Sequence, residues 1–206
     1  MIGGIENAKL LLIPTPLTAI ALVLESPTMP QLSPIKPQRA LESAQGYLLL
    51  EMPDAALREL RLFVSADETP LAVHQLRGEA LRMRGDFEDA LKSFEKVLQE
   101  NENDISVLMG MAWCFKRIDR LDKAIESMKY AYLHAPQEAV VLYNLACYYS
   151  LARDKEEALA WLARAIRLDA KFRDQVAKES DFDPIRNDPD FQYLMQLAEP
   201  KSSKNA

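Results

Sequence analysis

Glycine is scarce in this chain, with 6 residues in 206 where ordinary usage predicts about 14. So few glycines argue against a β protein with many tight turns, and against glycine-rich loops that cradle phosphates. Cysteine is limited to Cys114 and Cys147, which cannot make a disulfide framework. Both lie in apolar helical surroundings and are expected to be buried free thiols, acting as small hydrophobes rather than nucleophiles. His74 and His134 stand far apart, with no Cys, Asp or Glu at ligand spacing, so no metal site is expected. No cofactor is implied. Excess positive charge is missing too. A net charge of -6 and a pI near 5.1 argue against nucleic-acid partners. Catalytic signatures are also absent: there is no His-Glu-x-x-His and no Gly-x-Ser-x-Gly. Carboxylate pairs such as Glu156–Glu157 fall on expected solvent faces. The chain therefore reads as non-enzymatic. Its 49% apolar and 27% charged content marks a globular rather than a disordered protein.

Proline is unevenly spread: Pro14, Pro16, Pro27, Pro30, Pro34 and Pro37 crowd the start of the chain. Leu10–Leu24 is an apolar stretch broken by the first two of them. It is too short for a comfortable membrane span. Only Lys9 precedes it, opposed by Glu6, so it lacks the basic flank of a good signal peptide. Residues 1–36 are expected to be a poorly packed segment, or a mis-called start with Met29 as the true first residue. The expected localisation is cytoplasmic. A genuine signal over residues 1–28 would instead mean export, and a membrane anchor is the least favoured reading.

What is present after Pro37 is a register. Ala56, Ala90, Ala124 and Ala158 recur at one constant interval. The same interval links Ala44, Gly78, Ala112 and Ala146. It also links Tyr47, Leu81, Phe115 and Tyr149, and again Leu60, Phe94, Met128 and Leu162. A fixed period of this length marks an array of stacked units. Small residues belong where two helices approach closest, and large apolar residues fill the gaps between units. One such unit cannot bury its apolar surface alone, so units must stack. The pattern predicts helices over 38–50 and 54–65, 71–84 and 87–100, 105–118 and 121–134, 139–152 and 155–168. Lys171–Glu179 is charged enough to cover the last apolar face. Both Asp183-Pro184 and Asp188-Pro189 place an N-cap before a proline at the first helical position. A final helix is expected over Pro189–Leu197.

This pattern resembles the tetratricopeptide repeat family. The match is closest over Gly78–Ala90, where the small residue, the Gly85-Asp86-Phe87 turn and Ala90 all fit. The resemblance covers the chain from Pro37 to Ala170. It implies an all-α fold, a right-handed α-solenoid of helix-turn-helix repeats at 37–70, 71–104, 105–138 and 139–170. Capping helices would follow over 171–198, then a disordered tail over 199–206.

In this family the first helix of each unit lines a concave groove. The resemblance implies that Gln75, Glu79, Arg82 and Met83 face it in the second unit. Met109, Trp113, Lys116 and Arg117 follow in the third, and Tyr143, Asn144 and Cys147 in the last. Trp, Tyr and Arg dominate binding hot spots. The set suits a protein or peptide partner with an apolar anchor and acidic flanks. The clamp that holds chaperone carboxyl-terminal tails is not expected, because neither frame of the repeat supplies its cations. The leading expectation is a protein–protein interaction module, an adaptor or scaffold. The alternatives are a specialised secretion chaperone, a kind that is often a homodimer, and an envelope-associated assembly protein.

Overall fold

A regular apolar period should yield paired helices, and the computed structural model, which describes residues 35–63 and 69–197, shows them. The helices are α1 (Ile35–Leu49), α2 (Pro53–Leu60), α3 (Leu71–Arg84), α4 (Phe87–Glu100), α5 (Ile105–Arg117), α6 (Leu121–His134), α7 (Ala139–Leu151) and α8 (Lys155–Leu168). A 3-10 turn, Arg61–Phe63, extends α2 and brings Phe63 into the core while Leu62 stays exposed. Then come α9 (Lys171–Val176), a 3-10 turn at Ser180–Phe182, and α10 (Pro189–Leu197). The described residues form an all-α solenoid with no strand.

Contacts divide the chain into two units, residues 1–36 and 37–206. The expectations placed on Leu10–Leu24, Met29 and the 199–206 tail fall outside the described residues. Among the described residues, no helix is long and apolar enough to cross a membrane.

The repeated small and large residues make the core. Ala56, Ala90, Ala124 and Ala158 are all fully buried, as are Leu60, Phe94, Met128 and Leu162. Burying one such large side chain contributes about 1.5–3 kcal/mol. Phe94 also explains a glycine. A Cβ on Gly78 would lie 2.5 Å from its Cε1, so nothing larger fits while the ring stays in place.

The turn inside each unit repeats as faithfully as the core. Glu51, Gly85, Asp119 and Arg153 all have positive φ, at 55°, 94°, 58° and 62°, and they too keep the repeat interval. In each unit the next amide reaches back to a carbonyl in the last turn of the first helix. These bonds, Met52 to Tyr47, Asp86 to Leu81, Arg120 to Phe115 and Asp154 to Tyr149, are each 2.9 Å. This is the six-to-one bond that closes a helix through a left-handed residue.

One expectation about the helix starts needs correction. Asp188-Pro189 does open α10, and the Asp190 amide donates to Asp188 Oδ1 at 2.9 Å. Asp183-Pro184 opens no helix; residues 183–187 are turns. The stretch ends at Asp188, which precedes another proline, and such a residue is biased away from helical backbone.

Candidate partner-binding groove

The first helices α3, α5 and α7 share one face of the array. Between them lies a pocket of about 360 Å³, lined by Glu79, Arg82, Ser106, Met109, Gly110, Trp113, Val140, Asn144 and Tyr148. Its floor is close-packed, since a Cβ on Gly110 would sit 3.0 Å from the Phe94 ring and 3.2 Å from Glu79 Oε1.

Two cations flank the half-buried Trp113. The Arg82 guanidinium lies 5.0 Å from its ring centroid and that of Arg117 5.6 Å. Phe87 meets Trp113 edge to face at 5.5 Å, and Arg117 also lies 5.6 Å from the Phe87 ring. Such stacking is worth about 0.5–1 kcal/mol at an exposed site. It also holds long arginine side chains in place. Arg82 donates through Nε and Nη2 to Glu79 Oε2, at 2.9 and 2.7 Å. Exposed Arg117 has no carboxylate partner among the described residues.

The last unit is different. Tyr143 and Cys147, expected on an open groove, are buried. The carboxyl-terminal segment covers them. Phe172 stacks on Tyr143 at 4.6 Å, and Phe182 meets it edge to face at 5.7 Å. Lys116 Nζ donates to Asp181 Oδ2 at 2.7 Å, so this cation is already engaged. The cap is itself fastened. Arg186 donates to the carbonyls of Val176 and Glu179, and Lys155 pairs with Asp188 and Asp190 at 3.2 and 2.9 Å.

Of the residues expected to face the groove, Glu79, Arg82, Met109, Trp113 and Asn144 therefore come together around one pocket. Gln75 sits at its edge, its amide donating to the Ser106 hydroxyl at 3.1 Å. Met83 is half-buried and Arg117 exposed. Burial pushes the Cys114 thiol up to about 12 and raises Cys147 further, so neither is a nucleophile at neutral pH. Among the described residues no cluster of His, Cys, Asp or Glu could hold a metal ion.

Sequence reasoning missed Tyr148, Asp181 and Phe182. One signal was available. Ala139–Leu151 carries no charged residue, and a helix apolar all round is covered on more than one side.

Family models described as tetratricopeptide repeat match residues 81–128 and 139–172. No curated protein matches the chain. Among solved structures, MamA from Desulfovibrio magneticus RS-1 (residue 41 to its end) is similar at a TM-score of 0.63 and 21% identity. That match covers 82% of this chain and 98% of the other. A further MamA crystal structure is similar at 0.61 and 18% identity, covering 71% and 84% of the two chains. YrrB, a TPR protein with an unusual peptide-binding site, is similar at 0.59 and 21% identity, covering 65% and 69%. At such identities the likeness shows the fold alone.

Proposed function

We propose, from the premise that this chain is a tetratricopeptide-repeat protein, that it is a non-enzymatic interaction module holding a partner peptide or helix on the face of α3, α5 and α7. One observation carries the reading. Trp113, beside a pocket of about 360 Å³, has the guanidiniums of Arg82 and Arg117 at 5.0 and 5.6 Å from its ring centroid. That volume lies near the lower end of the roughly 300–1,000 Å³ of ligand pockets, and suits one large side chain of a longer partner. Trp and Arg at such a place are hot-spot residues. Gln75, Glu79, Arg82, Met83, Met109, Trp113, Arg117 and Asn144 form the proposed contact set. Lys116 and Tyr143 hold the chain's own cap instead, and Cys147 is buried. The peptide-binding site of YrrB supports a peptide rather than a small molecule as the ligand.

The test is affinity recovery of partners from the native cell. Trp113→Ala with Arg117→Glu should abolish recovery and leave helical circular dichroism unchanged. Trp161→Ala with Arg164→Glu, on the second helix of the last unit, should leave recovery intact. Full recovery by the first pair would remove the groove as the binding face.

A further inference from the structure

Two polar residues of α3 stand where the repeat register buries apolar ones. His74 and Arg77 correspond to Leu108 and Met111 in the third unit, and to Leu142 and Leu145 in the fourth. All four of those side chains are buried. In the second unit the same place is a cleft of about 290 Å³ between α3 and α4. Its walls include His74, Arg77 and Leu81 from α3, and Asp89, Lys92 and Lys96 from α4. It shares no lining residue with the groove pocket.

Cationic side chains converge on this cleft, although the whole chain carries a net charge of -6. Lys92 is balanced by Asp89 at 2.8 Å. Arg77 and Lys96 have no carboxylate partner among the described residues. Arg77 Nη2 donates to the Leu60 carbonyl through a long bond of 3.5 Å. Burial, and then the charges of Lys96 and Arg77, hold the His74 imidazolium below its ordinary range, so both cations act on one place.

We infer that this cleft binds the phosphoryl group of a phosphorylated serine or threonine on a partner protein. The cleft lies outside the groove, and the inference does not rest on the groove reading. Charge sets the ligand class. A phosphorylated side chain carries about −1.5 to −2 at neutral pH, which matches the two unbalanced cations. Its oxygens accept from the guanidinium of Arg77 and the ammonium of Lys96, and the neutral His74 ring adds one N–H donor. A single carboxylate would leave one cation unbalanced. Size agrees: about 290 Å³ falls just below the roughly 300–1,000 Å³ of small-molecule pockets, and suits one group at the end of a stem. No Phe, Tyr or Trp lines the cleft, so a nucleobase finds no ring to stack on. The net negative charge also repels an extended polyanion. The register adds a last argument. The array gains stability from apolar side chains at these positions, and the second unit forgoes them. Local departures of this kind belong to working sites, where function is traded against stability.

The probe is a fluorescein-labelled pentapeptide, Ala-Ala-phosphoserine-Ala-Ala, titrated into the full chain by fluorescence anisotropy. It should bind, and its serine form should bind at least about tenfold more weakly. His74→Leu with Arg77→Met restores the residue types of the other units. That double variant should raise Tm and lose the phosphopeptide, a pairing that a purely structural role for these residues cannot produce. Lys96→Gln, at an exposed position, should weaken binding about tenfold and leave Tm unchanged. Imidazole NMR locates the site: the phosphopeptide should shift the signals of His74 and not those of His134, the other histidine of the sequence. Equal binding of the serine form, no binding of the phosphopeptide, or binding unchanged in both variants overturns the proposal. So does a bound phosphopeptide that leaves His74 unshifted. A double variant with lowered Tm overturns it as well, because the pair would then be structural. Inorganic phosphate binding as tightly as the peptide, or single-stranded RNA displacing it at lower concentration, overturns the phosphorylated side chain as ligand.

Discussion

The ammonium of Lys116 lies 2.7 Å from Asp181 Oδ2, 65 residues further along the chain. This bond and the Phe182 ring fix the carboxyl-terminal segment on the first-helix face. Both partners of the ion pair are largely shielded, so its loss leaves a poorly compensated charge. Asp181→Asn should cost about 1–3 kcal/mol, and Phe182→Ala about 3–5 kcal/mol. Urea unfolding of the full chain measures both. Two wild-type midpoints would mean the segment contributes nothing to the array.

Gly78 should not tolerate alanine, because the new Cβ would meet Phe94 Cδ1 and Cε1 at 2.6 and 2.5 Å. Overpacking of this kind costs about 1–3 kcal/mol. The other units carry Ala at this register and Leu or Met at that of Phe94. Adding Phe94→Leu to Gly78→Ala should therefore recover part of the loss. Gly46 faces nothing within 4 Å, so Gly46→Ala should stabilise by about 1 kcal/mol through helix propensity. Thermal unfolding should lower Tm for the first single variant and raise it for Gly46→Ala.

The left-handed turns predict an opposite use of glycine. Arg153, at φ 62°, carries a strain that glycine lacks, about 1–2 kcal/mol for an L-residue. Part of the gain is lost to the greater freedom of glycine in the unfolded chain. Arg153→Gly should stabilise by about 0.5–1 kcal/mol. Asp119→Gly should give less, since aspartate tolerates this region better. Gly85→Ala should destabilise. Chemical denaturation of the three variants checks the order.

Burial raises the Cys114 thiol from its ordinary 9.0 to about 12, and Cys147 further. A raised folded pKa means the native state keeps its proton longer. Its contribution to stability is present below pH 9.0 and is lost as pH rises toward the folded value. Unfolding free energy should fall above pH 9. Thiol titration at pH 8 should find no fast cysteine in the native protein and both after unfolding. A fast native thiol would contradict the burial.

Much of the solenoid was legible because one period places small and large residues at fixed register. The helices 71–84, 87–100, 121–134 and 155–168 have those bounds in the structure. The turns were less legible. Glu51, Asp119 and Arg153 are not glycines, and only packing of the paired helices forces them to positive φ. The groove was legible as a list of positions by resemblance, but not as an open or covered surface. Asp181 and Phe182 read as part of a cap, and their route onto Lys116 and Tyr143 is a contact across 65 residues that no local pattern encodes. The missing charge of Ala139–Leu151 was the nearest hint.

Partner binding by the face of α3, α5 and α7 can be read out in place. It is tested most directly by placing a photo-crosslinking amino acid at Ser106, on that face, and separately at Gln99, exposed on α4. After irradiation in the native cell, Ser106 should yield a covalent partner adduct and Gln99 none. Adducts from Gln99 without any from Ser106 would contradict it.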